Sequence, residues 1–311
     1  MGFLDRFSGF LSDNNMEGLC HNDPSKAEFT YLPIPYHPLH QHKDKNKGLS
    51  ETILSTLNTS PLFDTELQQS LDRSSLYTNP SLNINYDNIP DLFQTISQKS
   101  HEIISNNRWG LYVGGEHGIL PSILQAYTKH YEIGLISLSA QLRLNHDQES
   151  RFSLNYSTMK ACHRLCPNIM NLGTRRYNQE ELSYAISHQL TLITDKNLYL
   201  YDYNLQTLFS AFPESVLLAI DFDFFAPETF SAVPEPIPGG PHWWPSLMLL
   251  REIFKHRYVM GVVLTGIDPQ TAQKEHVYFT AALIKKCLIY FRYLSPKNVV
   301  GRVEIPLISK N

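Results

Sequence analysis

Short apolar runs and longer amphipathic stretches alternate along most of this chain. Runs of strand length fall at Phe29–Pro33, Gly110–Val113, Ile133–Leu138, Ile169–Leu172, Leu198–Tyr201, Val216–Phe222 and Tyr258–Leu264. Helical spacing marks Leu49–Leu57, Asp91–Ile104, Leu120–His130, Gln179–Leu190, Pro245–Lys255 and Gln270–Tyr293. The strand candidates are apolar nearly throughout rather than at every second position, which is the signature of strands buried on both faces. Their alternation with helices predicts an α/β fold of three layers, a parallel central sheet with helices on both faces. In such sheets, sites form beyond the carboxyl ends of the strands.

The first residues follow another pattern. Met1–Leu11 sets Phe3, Leu4, Phe7, Phe10 and Leu11 at helical spacing, and Asp13–Ser25 is polar. Residues 1–26 therefore read as an amphipathic and polar extension, and 27–311 as a single α/β domain. Asp5 and Arg6 interrupt any secretory core, and Arg6 stands where a myristoylation pattern needs serine or threonine. Docking on its own domain or on a partner is the plain reading of Met1–Leu11. A weak membrane-surface anchor is the sharper one, although the stretch lacks a basic face.

Composition narrows the class. A hydrophobic share of 42% is enough for a sizeable core. A formal net charge of −4 gives no electrostatic case for nucleic acid or an anionic membrane. No apolar run reaches the length of a membrane-spanning helix. Four cysteines in 311 residues do not make a disulfide scaffold, so the expectation is a reduced, cytoplasmic protein.

Chemistry concentrates in two segments. Gly114-Gly115-Glu116-His117-Gly118 places a histidine in a glycine turn just after the apolar run ending at Val113. Ala219 through Pro227 closes another run with Asp221 and Asp223, which alternation on an extended chain would aim to one side. A histidine and paired carboxylates suit a hard divalent ion such as manganese. Between them, Ser139-Ala140-Gln141-Leu142-Arg143 supplies no good ligand: serine and glutamine are weak and neutral, and arginine keeps its proton. His37, His40 and His42 cluster in a polar loop where zinc is conceivable, but an ordinary exposed loop accounts for them more simply. Cys162 and Cys166 share a helical face, better read as buried thiols than as half of a zinc site. Pro241-His242-Trp243-Trp244 either walls a pocket or packs at a helix start.

In series, these segments resemble the ureohydrolase superfamily (arginase, agmatinase, formiminoglutamase), whose motifs are a Gly-Gly-Asp-His-Ser turn, an Asp-Ala-His-x-Asp strand end and a Ser-x-Asp-x-Asp-x-x-Asp-Pro strand end. The order continues in Phe29–Pro35, in Gly48–Leu54, in Ile169–Arg175, which is similar to an Ile-Gly-x-Arg strand, and in Pro234–Gly240, which is similar to a Thr-Pro-Glu-Pro-Gly-Gly loop. The resemblance implies an arginase-like fold and, in active members, two manganese ions sharing a hydroxide that attacks a guanidinium-like carbon. It implies retained ligand positions at His117, Asp221 and Asp223, with Asp221 bridging, and substituted ligand positions at Ser139, Gln141 and Arg143. Glu116 lies in the first motif, and Gly266 stands where a substrate-facing glutamate is usual. No histidine occurs in Glu149–Lys160, where one near the substrate is usual; His146 and His163 flank the gap.

Three functions remain open. One is an arginase-like protein with an impaired binuclear centre, a pseudoenzyme kept for binding or assembly. Another is a hydrolase of C–N bonds in linear amidines or guanidines, working through a single metal or a rebuilt site. The last uses Arg143 to hold an anionic small molecule. At most one manganese ion is expected, and a homo-oligomer is what the resemblance implies. Buried carboxylates without a counter-charge are costly, so Arg143 is expected to pair with Asp221 or Asp223. The alternative turns it to solvent and leaves the carboxylates wet.

Overall fold

The computed structural model describes residues 27–37, 43–72, 75–145 and 153–296. Strands β1 (Phe29–Ile34), β4 (Leu76–Thr78), β5 (Trp109–Gly114), β6 (Gly134–Leu138), β7 (Ile169–Thr174), β8 (Thr191–Thr194), β9 (Ser215–Asp221) and β10 (Tyr258–Thr265) build one sheet. Its order is β4-β1-β5-β10-β9-β6-β7-β8, and every neighbouring pair is parallel. A separate antiparallel hairpin joins β2 (Phe63–Asp64) to β3 (Gln69–Ser70). The gap that the chain leaves between β5 and β6 is filled later by β10 and β9, so the last two strands enter the middle of the sheet. These central strands are buried along nearly their whole length, which explains their continuous apolar runs.

Two groups of helices sandwich the sheet. One comprises α2 (Ile89–Ser105), α3 (Leu120–Thr128) and α4 (Ser153–Leu165). The other comprises α1 (Lys43–Thr59), α7 (Leu205–Ser210), α8 (Trp243–His256) and α9 (Lys274–Leu294). The expected three-layer α/β architecture is therefore found. Among the described residues, no helix is long and apolar enough to cross a membrane.

Several local expectations change. Leu198–Tyr201 is not a strand: Leu198 lies in helix α6 (Asp195–Leu200), and Tyr201 follows it at φ 53°. Thr194 decides this, because its side chain accepts from Asn197 N while Asn197 reaches back to Thr194 N. The edge strand is the preceding Thr191–Thr194, half-buried and so weakly marked in the apolar pattern. Helix α4 carries Cys162, and Cys166 follows directly after it; both are buried, with the Cys166 thiol donating to Ile133 O at 3.0 Å. Residues 1–26, with Met1–Leu11, and His40, His42 and His146 lie outside the described residues.

Candidate functional site

Four adjacent strands, β5, β10, β9 and β6, deliver their carboxyl ends to one place. After β5 the chain passes through Gly115, where a side-chain carbon would collide with Tyr36 O and the buried His37 ring. That close approach turns Glu116 and His117 into the site, and a short 3-10 helix, His117–Ile119, leads on into α3. Beyond β9, a second 3-10 helix spans Phe222–Phe224. Asp221 Oδ1 accepts from Asp223 N at 3.0 Å and caps this turn. Strand alternation therefore does not align the two aspartates, as the sequence pattern suggested; the capped turn folds Asp223 back beside Asp221.

Protein donors occupy the carboxylates from every side. Arg143 Nη2 lies 2.8 Å from Asp221 Oδ2 and 3.1 Å from Asp223 Oδ2. Ala140 N donates to Asp223 Oδ1 at 2.9 Å and Gln141 Nε2 to Asp223 Oδ2 at 3.3 Å. The Ser139 hydroxyl, with one hydrogen to give, sits 3.3 Å from Asp221 Oδ2 and 3.1 Å from Asp223 Oδ1. His117 Nε2 is 2.9 Å from Asp221 Oδ2, and its Nδ1 is 2.9 Å from the Thr265 hydroxyl. A carboxylate only accepts, so the imidazole proton belongs on Nε2 and Nδ1 accepts from Thr265.

The structure thus brings together His117, Ser139, Gln141, Arg143, Asp221 and Asp223, and pairs Arg143 with both aspartates. Burial and the Arg143 charge push the His117 pKa down, so around neutral pH it offers a hydrogen bond, and Arg143 is the cation. Burial opposes ionisation of Asp221, but His117, Arg143 and the Asp223 N–H outweigh it and hold Asp221 well below the usual carboxylate range. Burial, and then the Asp221 charge, raise Asp223 to about 7. One guanidinium faces two buried carboxylates, and the second of them, Asp223, therefore holds its proton more tightly than an ordinary carboxylate does.

Gly266, at φ 89°, is required by this packing: a side-chain carbon there would collide with Asp221 Oδ1 and close to 3.3 Å on His117 Cε1. A cavity of about 310 Å³ opens over the cluster. Its walls include Glu116, Tyr156, Glu235, Ile267 and Asp268 beside the buried core. Arg175 organises one wall by donating to the carbonyls of Asp223 (2.7 Å), Phe225 (3.2 Å) and Ile237 (3.1 Å), which ties the aspartate turn to the Pro234–Gly240 loop.

Other candidates fall elsewhere. His163 faces Tyr184, with Nδ1 2.9 Å from the hydroxyl, and does not line the cavity. Trp243 opens α8 and packs on Phe279 with ring centroids 4.9 Å apart, so the aromatic pair belongs to a helix start. Thr265, Tyr156, Glu235 and Asp268 do not stand out as candidates in the sequence. Thr265 immediately precedes Gly266 and Glu235 lies within the Pro234–Gly240 loop, so both were within reach of a residue-level reading. Asp268 lies two residues beyond Gly266 in the same Thr265–Pro269 segment, whereas Tyr156 carries no local signal.

A metal centre needs lone pairs pointing into open space. As arranged here, the aspartate oxygens face N–H and O–H donors, His117 presents a proton, and Ser139, Gln141 and Arg143 offer no strong ligand. The donor set does not suit a pair of divalent ions. Among the described residues, no group of three or more His, Cys, Asp and Glu side chains is arranged to hold one.

Comparison with known proteins agrees with this geometry of strands and loops. A model of the arginase family matches residues 49–290. The N(1)-aminopropylagmatine ureohydrolase of Thermus thermophilus is 22% identical over 199 residues, covering 60% of this chain and 66% of that one. The arginase of Staphylococcus aureus is 23% identical over 219 residues, covering 62% of this chain and 71% of its own length. The crystal structure of formimidoylglutamase from Bacillus subtilis superposes with a TM-score of 0.78 at 17% identity, covering 95% of this chain and all of that one. With the strand order, the edge at which the motifs meet and this match over most of its length, the chain belongs to the arginase family.

Proposed function

We propose that this protein keeps the arginase-family pocket to bind a small molecule and does not hydrolyse it through a two-ion centre. The observation that carries this reading is the engagement of both aspartates by Arg143 together with Ser139, Ala140 and Gln141. Around the core held by Arg143, Glu116, Glu235 and Asp268 line the cavity. Glu235 is paired with Arg176, but the charge of Glu116 and Asp268 still favours a cationic ligand over the anionic one that Arg143 alone suggests, because Arg143 is turned onto the aspartates. At most one manganese ion, a homo-oligomeric state and a cytoplasmic setting complete the reading.

The deciding experiment loads the purified protein with manganese, counts ions per chain and assays urea or amine release from linear guanidines and amidines. The reading predicts fewer than two ions and no turnover. Two ions per chain with turnover would overturn it. A second reading, hydrolysis with a single metal, draws on the retention of His117, Asp221 and Asp223 together and on relatives named as ureohydrolase and arginase. One bound ion with turnover would select that alternative.

A further inference from the structure

We propose that Arg143 is a built-in cation: its guanidinium fills the place between Asp221 and Asp223 from within the chain, and the pair takes up a free cation only when that side chain is removed. The inference rests on the reading that this is not a two-ion centre, and adds that a single side chain excludes the ion.

Geometry supports the assignment at three levels. A single nitrogen, Nη2, bridges Oδ2 of both aspartates at 2.8 and 3.1 Å, so one charge is shared as a bridging cation would share it. The residue is only 8% exposed, and arginine keeps its charge under all ordinary conditions. Unlike a bound ion, such a cation cannot be diluted away or chelated.

The delivery of this side chain is also specific. Arg143 has φ 53°, a left-handed conformation that residues other than glycine seldom adopt. Contacts outside the cavity hold it there. Met159 N donates to Arg143 O at 3.1 Å, and Leu144 N donates to Glu181 Oε1 at 2.9 Å. Asn178 Nδ2 reaches Asn145 Oδ1 at 2.8 Å. Helices α4 and α5 (Gln179–Ser187), with the α5 cap residue Asn178, thus hold the loop at the arginine and at the two residues that follow it. Glu181 is a buried positioning residue, using its other oxygen to accept from Asn178 N at 2.9 Å. On the far side, Gly266 leaves room for Asp221 to turn toward the guanidinium.

The test uses the full chain and three variants, Arg143→Ala, Arg143→Met and the double Arg143→Met/Asp223→Asn. Melting is followed with and without EDTA, manganese and low-millimolar guanidinium, and bound Mn(II) is counted by electron paramagnetic resonance. The wild type should melt at one temperature in all these solutions. Arg143→Ala should lose roughly 5–10 °C, the consequence of stranding a buried carboxylate pair. Manganese or guanidinium should restore part of that loss saturably, with more Mn(II) bound than by the wild type. Arg143→Met fills the space with an apolar stem and should not be restored. The double variant removes the cation together with one of the two acids that need it, and should melt above Arg143→Met, a comparison that stands if Arg143→Ala does not fold.

Arg143→Ala melting with the wild type, or a folded Arg143→Ala that gains neither Mn(II) nor stability, would overturn the built-in cation while leaving the functional reading intact. A double variant no more stable than Arg143→Met would do the same. Two ions on the wild-type chain would overturn both.

Discussion

Two regions of this molecule gather a pair of acids around a basic side chain, and they solve the problem differently. At the strand ends, Asp221 and Asp223 share Arg143. Beside the β2–β3 hairpin, Asp64 and Glu66 share Lys286, whose Nζ lies 2.7 Å from Asp64 Oδ2 and 2.7 Å from Glu66 Oε2. The hairpin cluster adds a second cation, Arg251, 3.2 Å from Glu66 Oε1, and the Tyr290 hydroxyl donates to Glu66 Oε2 at 2.6 Å. Its lysine comes from regular helix α9, whereas Arg143 comes from a left-handed loop residue. Burial opposes ionisation of Asp64 and Glu66, yet Lys286 and the surrounding donors hold both below the usual carboxylate range. At the strand ends only Asp221 is held down, and Asp223 is pushed up to about 7. Two cations for two acids make a clamp that pins a hairpin to α8 and α9. One cation for two acids, under a cavity of about 310 Å³, leaves a site with unfinished charge compensation.

The contrast can be broken by substitution. Arg143→Ala should have the largest effect, a loss of about 3–5 kcal/mol in denaturant unfolding, because both stranded acids are buried. Lys286→Met should cost less, roughly 2–3 kcal/mol, since Arg251 and Tyr290 remain on Glu66. Manganese should restore nothing to it, and recovery comparable to that of Arg143→Ala would erase the distinction between clamp and site.

The pH dependence sharpens the comparison with a smaller effect. Asp64 and Glu66 have lowered folded pKa values, so their contribution is present above the unfolded values near pH 4 and disappears as pH falls through the folded ones. Asp223, raised to about 7, contributes with the opposite sign: its stabilisation is complete below about pH 4 and is lost as pH rises toward 7. Unfolding free energy measured between about pH 4 and 7 should therefore fall more steeply in the wild type than in Asp223→Asn. Equal slopes would show that Asp223 is not raised above its unfolded value, which would remove this contrast. The smallest expected effect belongs to Arg176→Ala, whose partner Glu235 lines the cavity. Its exposed pairing with Glu235 should contribute less than about 0.5 kcal/mol and leave the response of the Arg143 variants to manganese unchanged.

Much of this architecture is legible in the residues themselves. Runs that are apolar throughout and alternate with helical patterns point to strands buried on both faces and so to a parallel sheet, with Leu198–Tyr201 the exception. The residue types at Ser139, Gln141, Arg143 and Gly266, set against the motifs that the chain resembles, can be read once those motifs are put in order. Edge and cap features are harder. The half-buried β8 lacks an apolar run, and the Thr194 cap turns an apolar stretch into α6. Residue spacing places Asp221 and Asp223 on one side for the wrong reason, because the capped 3-10 turn brings Asp223 back.

By itself, then, the sequence determined the layer architecture, the sheet edge where the motifs gather and the chemical types present there. Those depend on periodicity and on residue identity, which are local. Only the tertiary structure decided that Arg143 lies between the aspartates, that the His117 proton faces Asp221, and that Glu116, Glu235 and Asp268 share a cavity with them. These facts join residues separated by tens to more than a hundred positions. They turn on a left-handed arginine and on the space left by Gly266, neither of which a local pattern encodes.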